Sequence, residues 1–194
     1  MAPSTNEFAY TLRIPKDRIA VLIGTKGESK RELEKYTKTK IAVDSAEGTV
    51  TISGGEALDL YVSREIVMAI GRGFSPELAR LLLKPDYGVE ILSVRDYARN
   101  DADATRIKGR VIGEDGKSRK IIEELTGVSI TVYGKTIGLI GELESLAGAR
   151  KAVESLLSGQ PHASVYKWLE QHRKEMRKKE FIGEQDWLKK TPSQ

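Results

Sequence analysis

Two tetrapeptides in this chain have the residue types needed to hold a phosphate. Gly24-Thr25-Lys26-Gly27 follows Ile23, and Gly113-Glu114-Asp115-Gly116 follows Ile112. Glycine adopts backbone angles denied to other residues and lets an anion approach the main chain. A helix that starts straight after such a turn aims its free N–H groups at the same anion. Both turns lead into charged, helix-forming runs, from Glu28 and from Lys117. Short β-branched segments follow, Ile41-Ala42-Val43 and Ile130-Thr131-Val132. The chemistry on offer is a backbone anion clamp beside a strand edge. Taken singly, a Gly-x-x-Gly turn is more often a plain connection between helices.

The second copy changes that weighting. Gly113 stands 89 positions after Gly24, and at the same offset Ser29 meets Ser118, Lys30 meets Arg119 and Glu34 meets Glu123. Thr37 then meets Thr126, Ile41 meets Ile130 and Val43 meets Val132. Matches sustained at one offset mark an internal repeat, and a repeat sets the architecture.

The elements that must position these loops follow from periodicity. Phe8, Tyr10, Leu12 and Ile14 alternate with smaller or polar residues, which predicts a half-buried strand ended by Pro15. Ile19, Leu22 and Ile23 give a short helix into the first loop. Leu33 and Tyr36 are the inward side of the next helix. Ile41 to Val43 and the stretch from Val50 are strands, and Leu58, Val62, Ile66 and Ile70 line a longer helix. The order is β-α-α-β-β-α. Ser75-Pro76-Glu77 has the composition of a helix start. The second unit repeats the order from Val89, and its last helix ends at Gly159-Gln160-Pro161. A further helix, capped by Ser164, carries an apolar stripe of Val165, Trp168, Leu169, His172 and Met176. Its other side is basic, with Lys167, Arg173, Lys174, Arg177, Lys178 and Lys179. The stripe reads as a docking face, and the basic side as solvated or as additional hold on a polyanion.

The expected division is 7–73 for the first domain, 74–88 for a short helix and linker, and 89–159 for the second domain. A basic C-terminal helix then covers 160–181 and a frayed tail 182–194, although Trp187 could dock. The fold class is α+β. Each half is small enough to have a marginal core alone. Firm packing between them is therefore expected, with the two first strands pairing into one sheet.

Composition limits the function classes. The chain has 194 residues, 39% of them hydrophobic and 31% charged, which suits folded domains rather than disorder. Its net charge of +4 permits a nucleic-acid partner without requiring one. Absence of cysteine excludes disulfides and thiolate zinc sites. The hydrophobic runs are too short to span a membrane, and Met1 to Glu7 lacks the regions of a signal peptide. A cytoplasmic protein is expected, without cofactor or metal.

At this point the sequence resembles tandem type I KH proteins. The resemblance narrows over Lys108-Gly109-Arg110-Val111-Ile112-Gly113, Gly116-Lys117-Ser118-Arg119-Lys120, Glu123 to Thr126 and Val128 to Lys135. With Ser164-Val165-Tyr166-Lys167-Trp168-Leu169-Glu170, these stretches are similar to the archaeal branch of one KH family in small-subunit ribosome maturation. That family is the dimethyladenosine-transferase-associated KH protein, or partner of the Nob endonuclease. The likeness runs from Phe8 to Lys179. It implies binding of single-stranded RNA near the 3′ end of small-subunit ribosomal RNA. It also implies contact with the maturation endonuclease and with the alpha subunit of translation initiation factor two.

On this reading the first RNA site is Gly24, Thr25, Lys26, Gly27 and Lys30, with Ile41 and Val43 on the strand. The second is Gly113, Glu114, Asp115, Gly116, Lys117, Arg119 and Lys120, with Ile130 and Val132, and with Arg110 approaching from the preceding helix beside Arg106 and Lys108. Ile19, Ile23 and Leu33 would floor the first groove, and Val111, Ile112 and Ile122 the second. For Leu33, Ile41 and Ile122 ordinary core is at least as good a reading. Two departures stand out. Lys30 and Arg119 occupy a position that is aliphatic in many KH domains. Glu114 and Asp115 put two carboxylates where a phosphate would lie, and these should repel it. The first loop is thus expected to contribute more per residue.

Enzymatic readings fail on spacing. Gly116-Lys117-Ser118 and Gly134-Lys135-Thr136 end like nucleotide-binding loops, but the required earlier glycine is replaced by Val111 and Ser129. His162 and His172 are too few and too far apart for a usual metal site. The remaining alternative is a protein-interaction scaffold with incidental RNA contact.

Overall fold

A computed structural model of the chain describes residues 8–190. The first unit comprises β1 (Phe8–Arg13), α1 (Lys16–Ile23), α2 (Glu28–Thr37), β2 (Lys40–Asp44), β3 (Thr49–Gly54) and α3 (Ala57–Gly71). A short helix α4 (Pro76–Ala79) and a 3-10 turn at Arg80–Leu83 lead to the second unit. That unit comprises β4 (Tyr87–Ser93), α5 (Asp101–Ile112), α6 (Lys117–Thr126), β5 (Ser129–Tyr133), β6 (Thr136–Glu142) and α7 (Leu143–Leu157). The helix α8 (His162–Lys190) closes the chain. Both sheets are three-stranded and antiparallel, in the orders β1-β3-β2 and β4-β6-β5. The α+β class and the repeated order are those expected. In each unit the strand that follows the loop helix, β2 or β5, is a sheet edge.

The central strands differ. On β3 burial alternates, with Val50 and Ile52 fully enclosed and Thr49, Thr51 and Ser53 only half-buried. On β6 Ile137 to Gly141 are all buried. Ile137 and Leu139 join the second unit's own core, whereas Ile140 packs into the core of the first. Gly138 leaves room for Phe74, whose Cε2 would lie 2.6 Å from a Cβ placed there. The second sheet is therefore sandwiched, with its own helices on one face and Phe74 and Leu82 of the first unit's cluster toward the other.

This arrangement corrects the expected joint. The first strands do not pair into one sheet, because β1 and β4 are edges of separate sheets. Covering an apolar face removes more apolar area from water than adding one strand to an edge, so face packing wins. The segment expected as helix and linker is itself core, with Phe74 and Leu82 buried, and β4 begins at Tyr87 rather than Val89. Ser75 caps α4 as expected, its hydroxyl accepting from the Leu78 N–H at 3.3 Å. Polar contacts reinforce the joint. The Tyr133 hydroxyl donates to Asp17 Oδ2 at 2.5 Å, and this bond holds its pKa above the ordinary phenol value. Arg18 lies over the same ring and donates to the carbonyls of Ile70 and Phe74, at 2.8 and 2.6 Å.

The C-terminal helix also differs from expectation. Ser164 does not cap it, because the helix starts at His162 and the Pro161 carbonyl accepts from the N–H groups of Ser164 and Val165. The helix continues through the stretch expected to fray, as far as Lys190. Val165 and Leu169 are buried in the second core, but Trp168 is only half-buried. It stacks on His172 at 5.0 Å, with Lys151 Nζ 4.5 Å from its centroid. A helix stripe wider than its docking groove leaves its flank at the rim. The Trp187 side chain lies outside the described residues.

Candidate nucleic-acid interface

The two loops share one backbone. Gly24 and Gly113 have φ of 71° and 74°, and Gly27 and Gly116 have φ of 78° and 76°. Space matters at the first glycine of each pair. A Cβ on Gly24 would sit 2.3 Å from Ser29 Oγ, and one on Gly113 would sit 2.6 Å from the Ser118 backbone nitrogen. At the second glycine the positive φ is the requirement, since no atom crowds it. Lys26 and Asp115 are also left-handed, at φ 52° and 50°. Aspartate tolerates that region better than lysine, so Asp115 has a conformational reason to be where charge alone would exclude it. In each unit the next helix, α2 or α6, starts immediately after the loop and opens its N–H groups there.

Not every expected residue reaches the loops. Ile41 and Ile130 are 2% and 4% exposed, so their side chains are core rather than base contacts. Leu33, Val111 and Ile122 are likewise enclosed. The accessible apolar floor is Ile23 with Val43 in the first unit and Ile112 with Val132 in the second. Arg110 was expected to face RNA, but its guanidinium caps α7 by donating to the carbonyls of Leu156 and Gln160, at 3.2 and 2.6 Å. The orphan carbonyls at a helix end attract such a donor more strongly than a solvated position does. Arg106 pairs with Asp103 at 2.7 Å and Lys108 donates to the Gly134 carbonyl at 3.0 Å. Lys26, Lys117 and Lys120 are exposed.

Lys30 and Arg119 belong to a device that sequence reading missed. Glu34 Oε1 accepts from the Ile41 N–H at 2.8 Å and pairs with Lys30 Nζ at 3.0 Å. Glu123 Oε1 accepts from the Ile130 N–H at 2.8 Å, and Glu123 Oε2 lies 3.7 Å from Arg119 Nε. The signal was available, since both pairs have helical i,i+4 spacing and recur in the repeat. The two bonds also orient the strand edge. Ile41 and Ile130 turn their N–H groups away from the sheet, and strand alternation turns those of Val43 and Val132 the same way. Two enclosed side-chain atoms lack hydrogen-bond partners among the described residues, Ser118 Oγ and Arg119 Nε. Both belong to the first turn of α6, beside the second loop.

Two β-α-α-β-β-α units, each with a Gly-x-x-Gly clamp facing an open strand edge, define a tandem type I KH protein. Residues 88–174 match the eukaryotic-type KH domain of type I, and residues 9–68 match the general KH domain. The chain belongs to the archaeal PNO1/Dim2p family of KH proteins. It is 46% identical over 184 residues to the KH domain-containing protein MJ0443 of Methanocaldococcus jannaschii, covering 93% of this chain and 79% of that one. It is 33% identical over 109 residues to the pre-rRNA-processing protein PNO1 of Debaryomyces hansenii, covering 55% of this chain and 43% of the relative. The Dim2p chain in the a/eIF2alpha–aDim2p–rRNA complex of Pyrococcus horikoshii superposes with a TM-score of 0.82 at 45% identity, covering 89% of this chain and 97% of that chain.

Proposed function

We propose that this protein binds single-stranded RNA through both grooves during small-subunit ribosome maturation, at the 3′ region of the ribosomal RNA. The observation that carries the reading is the duplicated clamp. Four glycines hold positive φ at equivalent places, and each clamp faces an edge whose outward N–H at Val43 or Val132 is open. RNA readers of unpaired bases need such an arrangement of backbone donors and acceptors. The relatives support it, since one is a pre-rRNA-processing protein and another is held in a complex with rRNA. No group of three or more potential ligands is placed for a metal among the described residues, and no described helix is long and apolar enough to cross a membrane. The reading is of a binder without a reaction of its own, working in the cytoplasm.

One observation favours protein contacts as well. Leu58 and Tyr61 on α3 are exposed, as are Phe8, Tyr10 and Leu143. Large exposed apolar side chains mark interaction surfaces. Translation initiation factor two alpha fits this second role, given its presence in the Pyrococcus complex. A maturation endonuclease is the other partner in this proposal. The test is titration of the full chain with single-stranded RNA from the 3′ end of small-subunit ribosomal RNA, against the same RNA annealed to its complement. Preference for the single strand supports the reading. Equal binding to both, or to neither, refutes groove-type recognition and leaves the scaffold.

A further inference from the structure

The paired Lys30–Glu34 and Arg119–Glu123 devices have a consequence for base choice, which rests on the RNA reading above. An outward-facing strand residue normally offers a base both its N–H and its carbonyl. Here the Ile41 and Ile130 N–H groups are already taken by carboxylates at 2.8 Å. The carbonyls of the same residues point outward with them. At that step each edge therefore presents acceptors, namely a carbonyl and a carboxylate. One step further, Val43 and Val132 present a donor and an acceptor together.

We infer that Glu34 and Glu123 are specificity-determining residues, each selecting a base with an exocyclic amino group at one position of its groove and rejecting uracil there. Adenine, cytosine and guanine can all direct an amino N–H at an acceptor, as the base edges require. Uracil has no amino group, and its one donor, N3–H, lies between two carbonyls, so a uracil that donates to one of these acceptors turns a carbonyl toward the other. The cations are turned toward these carboxylates. Lys30 is held by Glu34 at 3.0 Å, and the pair is half-buried with side-chain exposures of 29% and 24%. Arg119 is held more loosely, with its Nε enclosed and unpartnered.

The test uses the full chain and a set of single-stranded RNAs from the 3′ end of small-subunit ribosomal RNA. Each RNA has one base replaced by uridine, and binding is followed by fluorescence anisotropy at fixed salt. Wild type should show one sensitive position per groove, with a penalty of about five- to tenfold, the worth of one hydrogen bond. Glu34→Gln and Glu123→Gln keep an oxygen for the strand N–H but place an amide donor beside it. Each should abolish or reverse the uridine penalty at one position and leave the other intact. A role confined to bracing the strand predicts a different result, in which Gln variants weaken every RNA by one factor or leave both penalties in place. Either outcome overturns the proposal. Failure of wild type to bind any of these RNAs would overturn the RNA reading itself and this inference with it.

Discussion

The two KH units share a backbone and differ in what surrounds it. The first loop carries Thr25 and Lys26 and the second carries Glu114 and Asp115, at nearly identical φ. The first sheet has an alternating central strand, and the second has a strand buried on both faces. The geometry of the clamp is the same in both, with glycine at its two ends and a third left-handed residue, Lys26 or Asp115, between them. Charge and outer packing diverged, because many residues satisfy those. Electrostatics favours the first loop as the stronger phosphate clamp, whereas the unmet polar atoms Ser118 Oγ and Arg119 Nε lie at the second.

The largest expected effect breaks the packing asymmetry. Phe74→Ala should cost about 3–5 kcal/mol, the usual result of truncating an enclosed aromatic residue. Phe8, at 50% exposure on β1, should give a change within about 0.5 kcal/mol when truncated. Urea unfolding of both variants checks this. Equal midpoints would mean that the joint is not core.

Next comes the brace on the second unit. Leu169→Ala should cost about 2–5 kcal/mol, because Leu169 is 1% exposed. Half-buried Trp168 should lose only about 1–2 kcal/mol as alanine, since its transfer and cavity contributions are both partial. Thermal unfolding that ranked Trp168 above Leu169 would reverse this view of how α8 docks.

The sharpest comparison of the loops uses opposite charge changes. Thr25→Asp with Lys26→Asp lowers the first loop's charge by three, and Glu114→Lys with Asp115→Gly raises the second loop's by three. Aspartate at 26 and glycine at 115 both tolerate the left-handed backbone, so charge is the main variable. At roughly 0.5 kcal/mol per charge across a solvated gap, the first pair should weaken single-stranded RNA binding about tenfold and the second should strengthen it by a similar factor. A second pair that weakens binding would mean that its carboxylates make specific contacts. Silence from both pairs would favour the scaffold.

The smallest effect concerns Arg110. Arg110→Ala should leave the salt dependence of RNA binding unchanged, because its Nε and Nη2 are held by the carbonyls of Leu156 and Gln160 at and just beyond the end of α7. A slope reduced by about 0.7 per lost phosphate contact would place the side chain on RNA instead.

What was legible in the sequence followed from local constraints. The glycine loops, the element order and the cap at Ser75 are each set by a few neighbouring residues. The repeat made them readable twice. The joint was misread because its partners, Phe74 and Gly138, are far apart in sequence. Even so, Thr136-Ile137-Gly138-Leu139-Ile140-Gly141 lacks the polar alternation of Thr49-Val50-Thr51-Ile52, and a strand that does not alternate is buried on both faces. The contacts of Arg110 were not legible, because charge and sequence proximity to a loop do not reveal the helix end that a long side chain meets. The pairing of Lys30 and Arg119 with glutamates was missed for a similar reason, since those glutamates also fix the strand beyond.

The fit of Phe74 against Gly138 makes the molecule a ruler. Two units on a floppy tether can accept binding segments at many separations, because the protein adjusts. Here the linking segment is core, so the span between the grooves is set by the fold. The RNA must do the adjusting, by looping out or stretching the nucleotides between its two contacts. Inserting or deleting nucleotides in that intervening stretch should therefore matter as much as changing the bases that the grooves hold.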